Sequence, residues 1–162
     1  MKKKLLFLFA GCVLAFLGWT ALNPQKVAAA NPPAGTFLIT IDDATTGAFV
    51  SNTVITLHAD HSVAAIDSGQ EGPAVPVPFS SQLGTWETTP GGGLQARTID
   101  FSFPFATEGS ARVDYKFNAG GSNDQVSGSI ILTFFPPNGN PLDGGGTLGG
   151  TFNFTGQRVT VP

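Results

Sequence analysis

The sequence has very little cysteine and lysine. Its single cysteine is Cys12, and four of its five lysines also lie within the first 30 residues. Beyond residue 30 the chain has no thiol, which excludes disulfides and cysteine nucleophiles there. Eleven Asp and Glu stand against four basic residues in that part, a net charge of −7. Such an acidic chain argues against nucleic acid and anionic membrane as partners.

A helical hydrophobic period is also missing. No segment after residue 30 has apolar residues at 3.6-residue spacing. Glycine and proline are instead frequent, and they separate short runs in which apolar and polar residues alternate. The content of Phe, Val, Ile and Leu is too high for a disordered chain. Residues 31–162 therefore predict one β domain with a single core.

The first 30 residues have the order of a secretion signal. Residues 2–4 are lysines, residues 5–19 are almost entirely apolar, and Ala28 and Ala30 are the small residues of a cleavage site. We therefore expect a signal peptide over residues 1–30, and a secreted or periplasmic protein that meets a membrane only during export.

Two alternatives to a cleaved signal remain open at this stage. The apolar stretch up to Leu22 is nearly long enough to span a membrane as an uncleaved anchor. Cys12 follows small residues, as the lipid-attachment cysteine of a lipoprotein does, although the apolar run continues past it. Cleavage after Ala30 is the favoured interpretation.

The alternating runs predict the strands. They cover residues 36–41, 52–58, 62–66, 84–88, 94–103, 111–117, 126–135 and 148–161, the last as one bent strand or two. Eight or nine short strands with hairpin-length connections predict an all-β, antiparallel up-and-down barrel of about eight strands. A β-sandwich is the alternative.

The tripeptide Gly84-Thr85-Trp86 at the start of a strand resembles the Gly-x-Trp signature of lipocalins and related calycin barrels. Together with Leu57-His58-Ala59-Asp60-His61 before it and Phe101-Ser102-Phe103 after it, it also resembles a set of uncharacterised bacterial exported proteins with lipocalin-like barrels. This resemblance implies a barrel with a tryptophan closing one end. It implies no settled activity.

Two histidines are the metal-ligand candidates. His58 and His61 flank Asp60, and these residue types bind Zn²⁺ or Cu²⁺ when they converge. The favoured interpretation is a tight turn, because Asp and His tolerate a positive φ better than most residues. The sequence predicts no metal, no cofactor and no catalytic residue.

Aromatic residues suggest either a filled core or an apolar ligand cavity. Arg97 has the strand parity of Ile99 and Phe101, so we expect these three to point inward, with Arg97 able to meet a ligand carboxylate near one mouth. The full set of predicted ligand-binding residues is Trp86, Arg97, Phe101, Phe103, Tyr115, Phe117, Phe134, Phe152 and Phe154.

Three functional hypotheses follow. The leading one is a secreted, non-enzymatic binder of a small hydrophobic or amphiphilic molecule, which requires a hollow barrel. A structural or surface-interaction module predicts a filled core and an exposed apolar patch. An isomerase or cyclase on a calycin-like barrel requires a polar cluster inside the cavity, and the sequence indicates few inward polar residues.

Overall fold

The computed structural model describes residues 34–70, 77–119 and 124–161. The expected signal peptide and residues 71–76 of the proline-rich loop lie outside these ranges. Within them no helix has the length and hydropathy needed to cross a membrane. The elements are β1 (Gly35–Asp43), β2 (Phe49–Leu57), β3 (Ser62–Asp67), β4 (Gln82–Thr88), β5 (Leu94–Phe101), α1 (Phe105–Glu108), β6 (Ser110–Phe117), β7 (Gln125–Phe135) and β8 (Thr147–Arg158).

The eight strands form a closed antiparallel barrel. Each strand pairs with the next along the chain, and β8 returns to pair with β1 from Phe37 opposite Arg158 to Asp43 opposite Phe152. The predicted up-and-down barrel is therefore confirmed, and the sandwich alternative is wrong. Closure leaves the sheet without free edges.

Large apolar side chains fill one end of the barrel, which we call the filled end. The chain enters it at β1 and leaves it at β8, and the tight turn between β2 and β3 lies there. The fully buried side chains at its centre include Phe37, Ile39, Leu57 and Phe154. The Phe154 ring packs edge-on against Phe117, with ring centroids 5.0 Å apart.

Trp86 closes the filled end beneath the β2–β3 turn. Its indole Nε1 donates a hydrogen bond to the His58 carbonyl oxygen at 2.8 Å, and the His61 ring stacks on it at 4.5 Å. His61 has a φ of 70°, so the predicted tight turn at Asp60-His61 is confirmed.

The inner face of β5 is the opposite of the predicted one. Thr98 and Asp100 point inward, whereas Ile99 and Phe101 lie on the outer face. The pairing register explains this, because Thr98 lies opposite Val113 and Asp100 opposite Ala111, both of which face the interior. Directly paired residues share a face of a sheet. Inward-facing Leu94 and Ala96 at the start of β5 have the same parity.

Candidate functional site

The end of the barrel opposite the filled end contains a cavity of about 600 Å³. The β1–β2, β5–β6 and β7–β8 loops and the described parts of the β3–β4 connection lie at this end of the barrel. Its apolar lining comes from Ile41, Val50, Val77, Phe79, Ala111, Val113, Ile130, Leu132, Phe134 and Phe152, and its polar lining from Ser51, Asp67, Gln82, Asp100, Ser102, Glu108 and Tyr115.

Side-chain size explains why this end is hollow whereas the other end is filled. Inward positions here are occupied by small residues such as Ser51, Ser102 and Ala111. At the filled end the corresponding layers contain Phe37 and Phe117. Because the strands keep a constant spacing around the barrel, small inward side chains leave space that large ones would occupy.

Asp67, the last residue of β3, is held by three donors. The Ser51 hydroxyl donates to its Oδ2 at 2.8 Å, and the Thr53 hydroxyl donates to the same oxygen. The Gly69 backbone N–H donates to Oδ1 at 2.7 Å. These three hydrogen bonds fix the position of the carboxyl at the cavity wall.

Gln82 joins two hydroxyl groups inside the barrel. Its Oε1 accepts hydrogen bonds from the Thr98 hydroxyl at 2.9 Å and from the Tyr115 hydroxyl at 2.8 Å. Burial raises the pKa of the Tyr115 phenol, and the charges of Asp67 and Asp100 raise it further. Tyr115 is therefore a neutral hydrogen-bond donor at physiological pH.

Asp100 is the unusual member of this group. Only 3% of the residue is exposed, and within the described ranges its Oδ1 is buried without a hydrogen-bond partner. Burial raises its pKa to about 7, with a further contribution from the charge of Asp67. Buried carboxyls without partners are costly to a fold, and a perturbed carboxyl in a cavity is typical of functional sites.

We refer to Asp67, Gln82, Thr98, Asp100 and Tyr115 as the inner polar cluster. Of these five residues, only Tyr115 is predicted from the sequence to bind a ligand. A signal was present in the alternation Leu94-x-Ala96-x-Thr98-x-Asp100, in which the polar residues share the parity of inward apolar ones. The phenylalanines of the same run have the other parity, and they favour the opposite prediction for its inner face.

The predicted ligand-binding residues divide into three groups. Tyr115, Phe134 and Phe152 line the cavity. Trp86, Phe117 and Phe154 are inside the barrel but belong to the packed core of the filled end. The remaining three, Arg97, Phe101 and Phe103, do not line the cavity.

The inward placement predicted for Arg97 is wrong. Its side chain lies on the outer face of β5, half exposed, and its Nε donates to Asp114 Oδ1 at 2.6 Å on the neighbouring strand. Phe101 is 49% exposed on the same face and its ring contacts Phe105, with centroids 5.6 Å apart. Phe103 follows the end of β5 and is 47% exposed. The β5 register that turns Asp100 inward turns Arg97 and Phe101 outward.

Of the two histidines, His61 has a structural role. The His61 ring lies against Trp86, and its Nδ1 is 3.1 Å from the Trp86 carbonyl oxygen. His58 stays exposed at the other side of the turn. In the part of the chain that the structure describes, no three His, Cys, Asp or Glu side chains are placed to hold a metal ion.

The cavity and the inner polar cluster are the basis for a functional conclusion. The lipocalin-like resemblance at Gly84-Thr85-Trp86 stays a prediction. No family model, curated protein or solved structure matches this chain.

Proposed function

We propose that this protein is an exported, non-enzymatic binder of a small hydrophobic or amphiphilic molecule, held in the hollow end of its lipocalin-like barrel. The observation that carries the proposal is the cavity of about 600 Å³. Ligand pockets commonly have volumes of 300–1,000 Å³ and combine a mainly apolar lining with a few polar groups. Both features are present here.

The position of the cavity supports the same proposal. Its apolar lining comes mainly from β1, β6, β7 and β8, with Val50, Val77 and Phe79 as the exceptions, whereas its polar groups come mainly from β2 to β5. An amphiphilic molecule matches such a divided lining, with its apolar body against Val113, Ile130 and Phe152 and its polar group at the inner polar cluster. Apolar contact then provides affinity and the polar group sets the orientation.

A dye-binding assay tests this proposal. N-phenyl-1-naphthylamine, a neutral apolar dye that fluoresces in apolar surroundings, should bind the protein with one site per chain. Ala111→Phe places a large side chain in the cavity wall and should weaken dye binding at least tenfold. Ala64→Phe adds the same side chain on the outer face of β3 and serves as the matched control.

Two results would overturn the proposal. One is a folded protein that binds no dye, and the other is equal binding by the wild type and Ala111→Phe. Circular dichroism of both variants establishes that the barrel is folded. Native mass spectrometry of protein purified from its own host adds a second readout, a retained small molecule.

A second candidate function is an isomerase or cyclase activity inside the same cavity. The inner polar cluster favours it, since this alternative requires inward polar groups. Asp100, with its pKa raised to about 7 by burial, has the value that suits a general acid or base at neutral pH. Turnover of a bound apolar molecule, lost in Asp100→Asn, would support catalysis over simple binding.

The surface-interaction alternative has one observation in its favour. Leu38, Val54 and Ile66 are paired across β1, β2 and β3 and form an exposed apolar row on the outer face. Rows of this kind are typical of interaction surfaces. However, that alternative also predicts a filled core, whereas this barrel contains a cavity of about 600 Å³.

A further inference from the structure

The lining of the cavity contains acidic side chains and, among the described residues, no basic one. Asp67, Asp100 and Glu108 line it. The arginines lie elsewhere: Arg97 and Arg112 contact Asp114 on the outer face, and Arg158 lies over the Phe37 ring at the filled end. A bound molecule is therefore exposed to a negative electrostatic potential.

Within this acidic lining Asp100 is the carboxyl that is buried and has an oxygen without a hydrogen-bond partner among the described residues. Asp67 already accepts three hydrogen bonds, and Gln82 Oε1 already accepts two. Asp100 lines the cavity, and its buried Oδ1 has no hydrogen-bond partner in the described part of the chain. A buried acceptor of this kind is stabilised when a ligand supplies a donor.

We propose that the ligand is an apolar primary amine whose ammonium group binds the carboxylate of Asp100, with its hydrocarbon body in the apolar part of the cavity. This inference rests on the proposed binding function and specifies its ligand class. An ammonium group brings a positive charge and three donors, so it satisfies the unpartnered oxygen and offsets the negative charges of Asp67 and Asp100. A carboxylate ligand would add a negative charge to the same place.

The pH dependence of amine binding follows from the same groups. Besides Asp100, the titratable groups lining the cavity are Asp67 on β3, Glu108 on α1 and Tyr115 on β6. Burial and the Asp67 charge raise the pKa of Asp100 to about 7, so its ionised fraction increases about tenfold between pH 6 and pH 8. Affinity for an ammonium ion should rise by about the same factor over this range. Affinity for an uncharged alcohol should not rise.

Three ligands with the same ten-carbon chain provide the test: decylamine, decanol and decanoate. Each is titrated against the protein carrying N-phenyl-1-naphthylamine, below its critical micelle concentration, at pH 6 and pH 8. At pH 8 decylamine should displace the dye at a concentration at least tenfold lower than decanol, and decanoate should be the weakest. Asp100→Asn should lose at least tenfold in decylamine affinity and should abolish the advantage of decylamine over decanol. Circular dichroism of the variant establishes that the barrel is still folded.

The outcomes separate this inference from the function on which it rests. If decanol and the dye bind but decylamine has no advantage, the amine inference is overturned and the binding function stands. The inference is overturned in the same way if Asp100→Asn binds decylamine as tightly as the wild type does. If neither the dye nor any of the three ligands binds, the proposed function itself fails.

Discussion

Replacing Asp100 with asparagine is expected to stabilise the protein above neutral pH. The substitution keeps the shape of the side chain and removes its ionisation. In the folded protein Asp100 is almost fully buried, its Oδ1 has no partner in the described ranges, and burial raises its pKa from 3.8 to about 7. The folded state therefore disfavours the ionised carboxylate, whereas the unfolded chain hydrates it freely.

The sign and the size of the effect follow from proton linkage. Well below pH 3.8 the carboxyl is protonated in both states, and the substitution should change the free energy of unfolding little. Between pH 4 and pH 7 the unfolded chain ionises while the folded protein keeps its proton, so the wild type loses stability as the pH rises. A pKa change from 3.8 to about 7 corresponds to about 4 kcal/mol. We therefore expect Asp100→Asn to gain up to about 4 kcal/mol at pH 8.

Urea unfolding followed by circular dichroism at pH 4, 5, 6, 7 and 8 measures this difference. The matched control is Asp143→Asn, which removes a carboxyl from an exposed position on the β7–β8 loop. Its stability difference from the wild type should stay nearly constant across the range. Parallel stability curves for the wild type and Asp100→Asn would refute the reasoning, because they would mean that Asp100 has similar surroundings in the folded and unfolded states.

Two further predictions concern residues outside the cavity. His61→Ala should reduce the free energy of unfolding by about 1–3 kcal/mol, because alanine is strained at a φ of 70° and the ring that stacks on Trp86 is lost. His58→Ala, at the exposed side of the turn, is the control and should have little effect on the free energy of unfolding. Equal losses in urea unfolding of the two variants would contradict this account of the turn. Arg97→Ala should cost less than about 1 kcal/mol, with the loss decreasing at high salt, and should leave dye affinity unchanged. A tenfold loss of dye affinity would mean that Arg97 acts at the cavity after all.

Comparison of two neighbouring strands shows how far the sequence predicts this fold. In β6 every second residue from Ala111 to Phe117 is apolar and the residues between are charged, so both the strand and its inner face are evident. In β5 the apolar residues change parity, from Leu94 and Ala96 to Ile99 and Phe101. Alternation alone then predicts that the segment is a strand but not which of its two faces points into the barrel. Pairing with β4 and β6 determines which face points inward, and this pairing depends on residues that are distant in the sequence.

The cavity was harder to predict than the barrel for a related reason. Whether a barrel is hollow depends on the summed volume of inward side chains at each level, and that sum requires the register of all eight strands. Tyr115, Phe134 and Phe152 were identified because they are large and aromatic. Asp67 and Asp100 were not identified, since a carboxyl in an alternating run normally indicates the solvent side.

The pairing of β8 with β1 has a consequence for how the protein can be attached to something else. An even number of strands returns the chain to the end at which it started, so Ala34 and Arg158 are neighbours, joined by a hydrogen bond of 3.0 Å from the Arg158 guanidinium to the Ala34 carbonyl oxygen. Both lie at the filled end. A fusion partner, tag or solid support joined at either side of the barrel therefore leaves the mouth of the cavity pointing away from it. Attachment through Ala34 or Arg158 should preserve access for a ligand, and a short linker between these two residues is a natural starting point for a circular permutation.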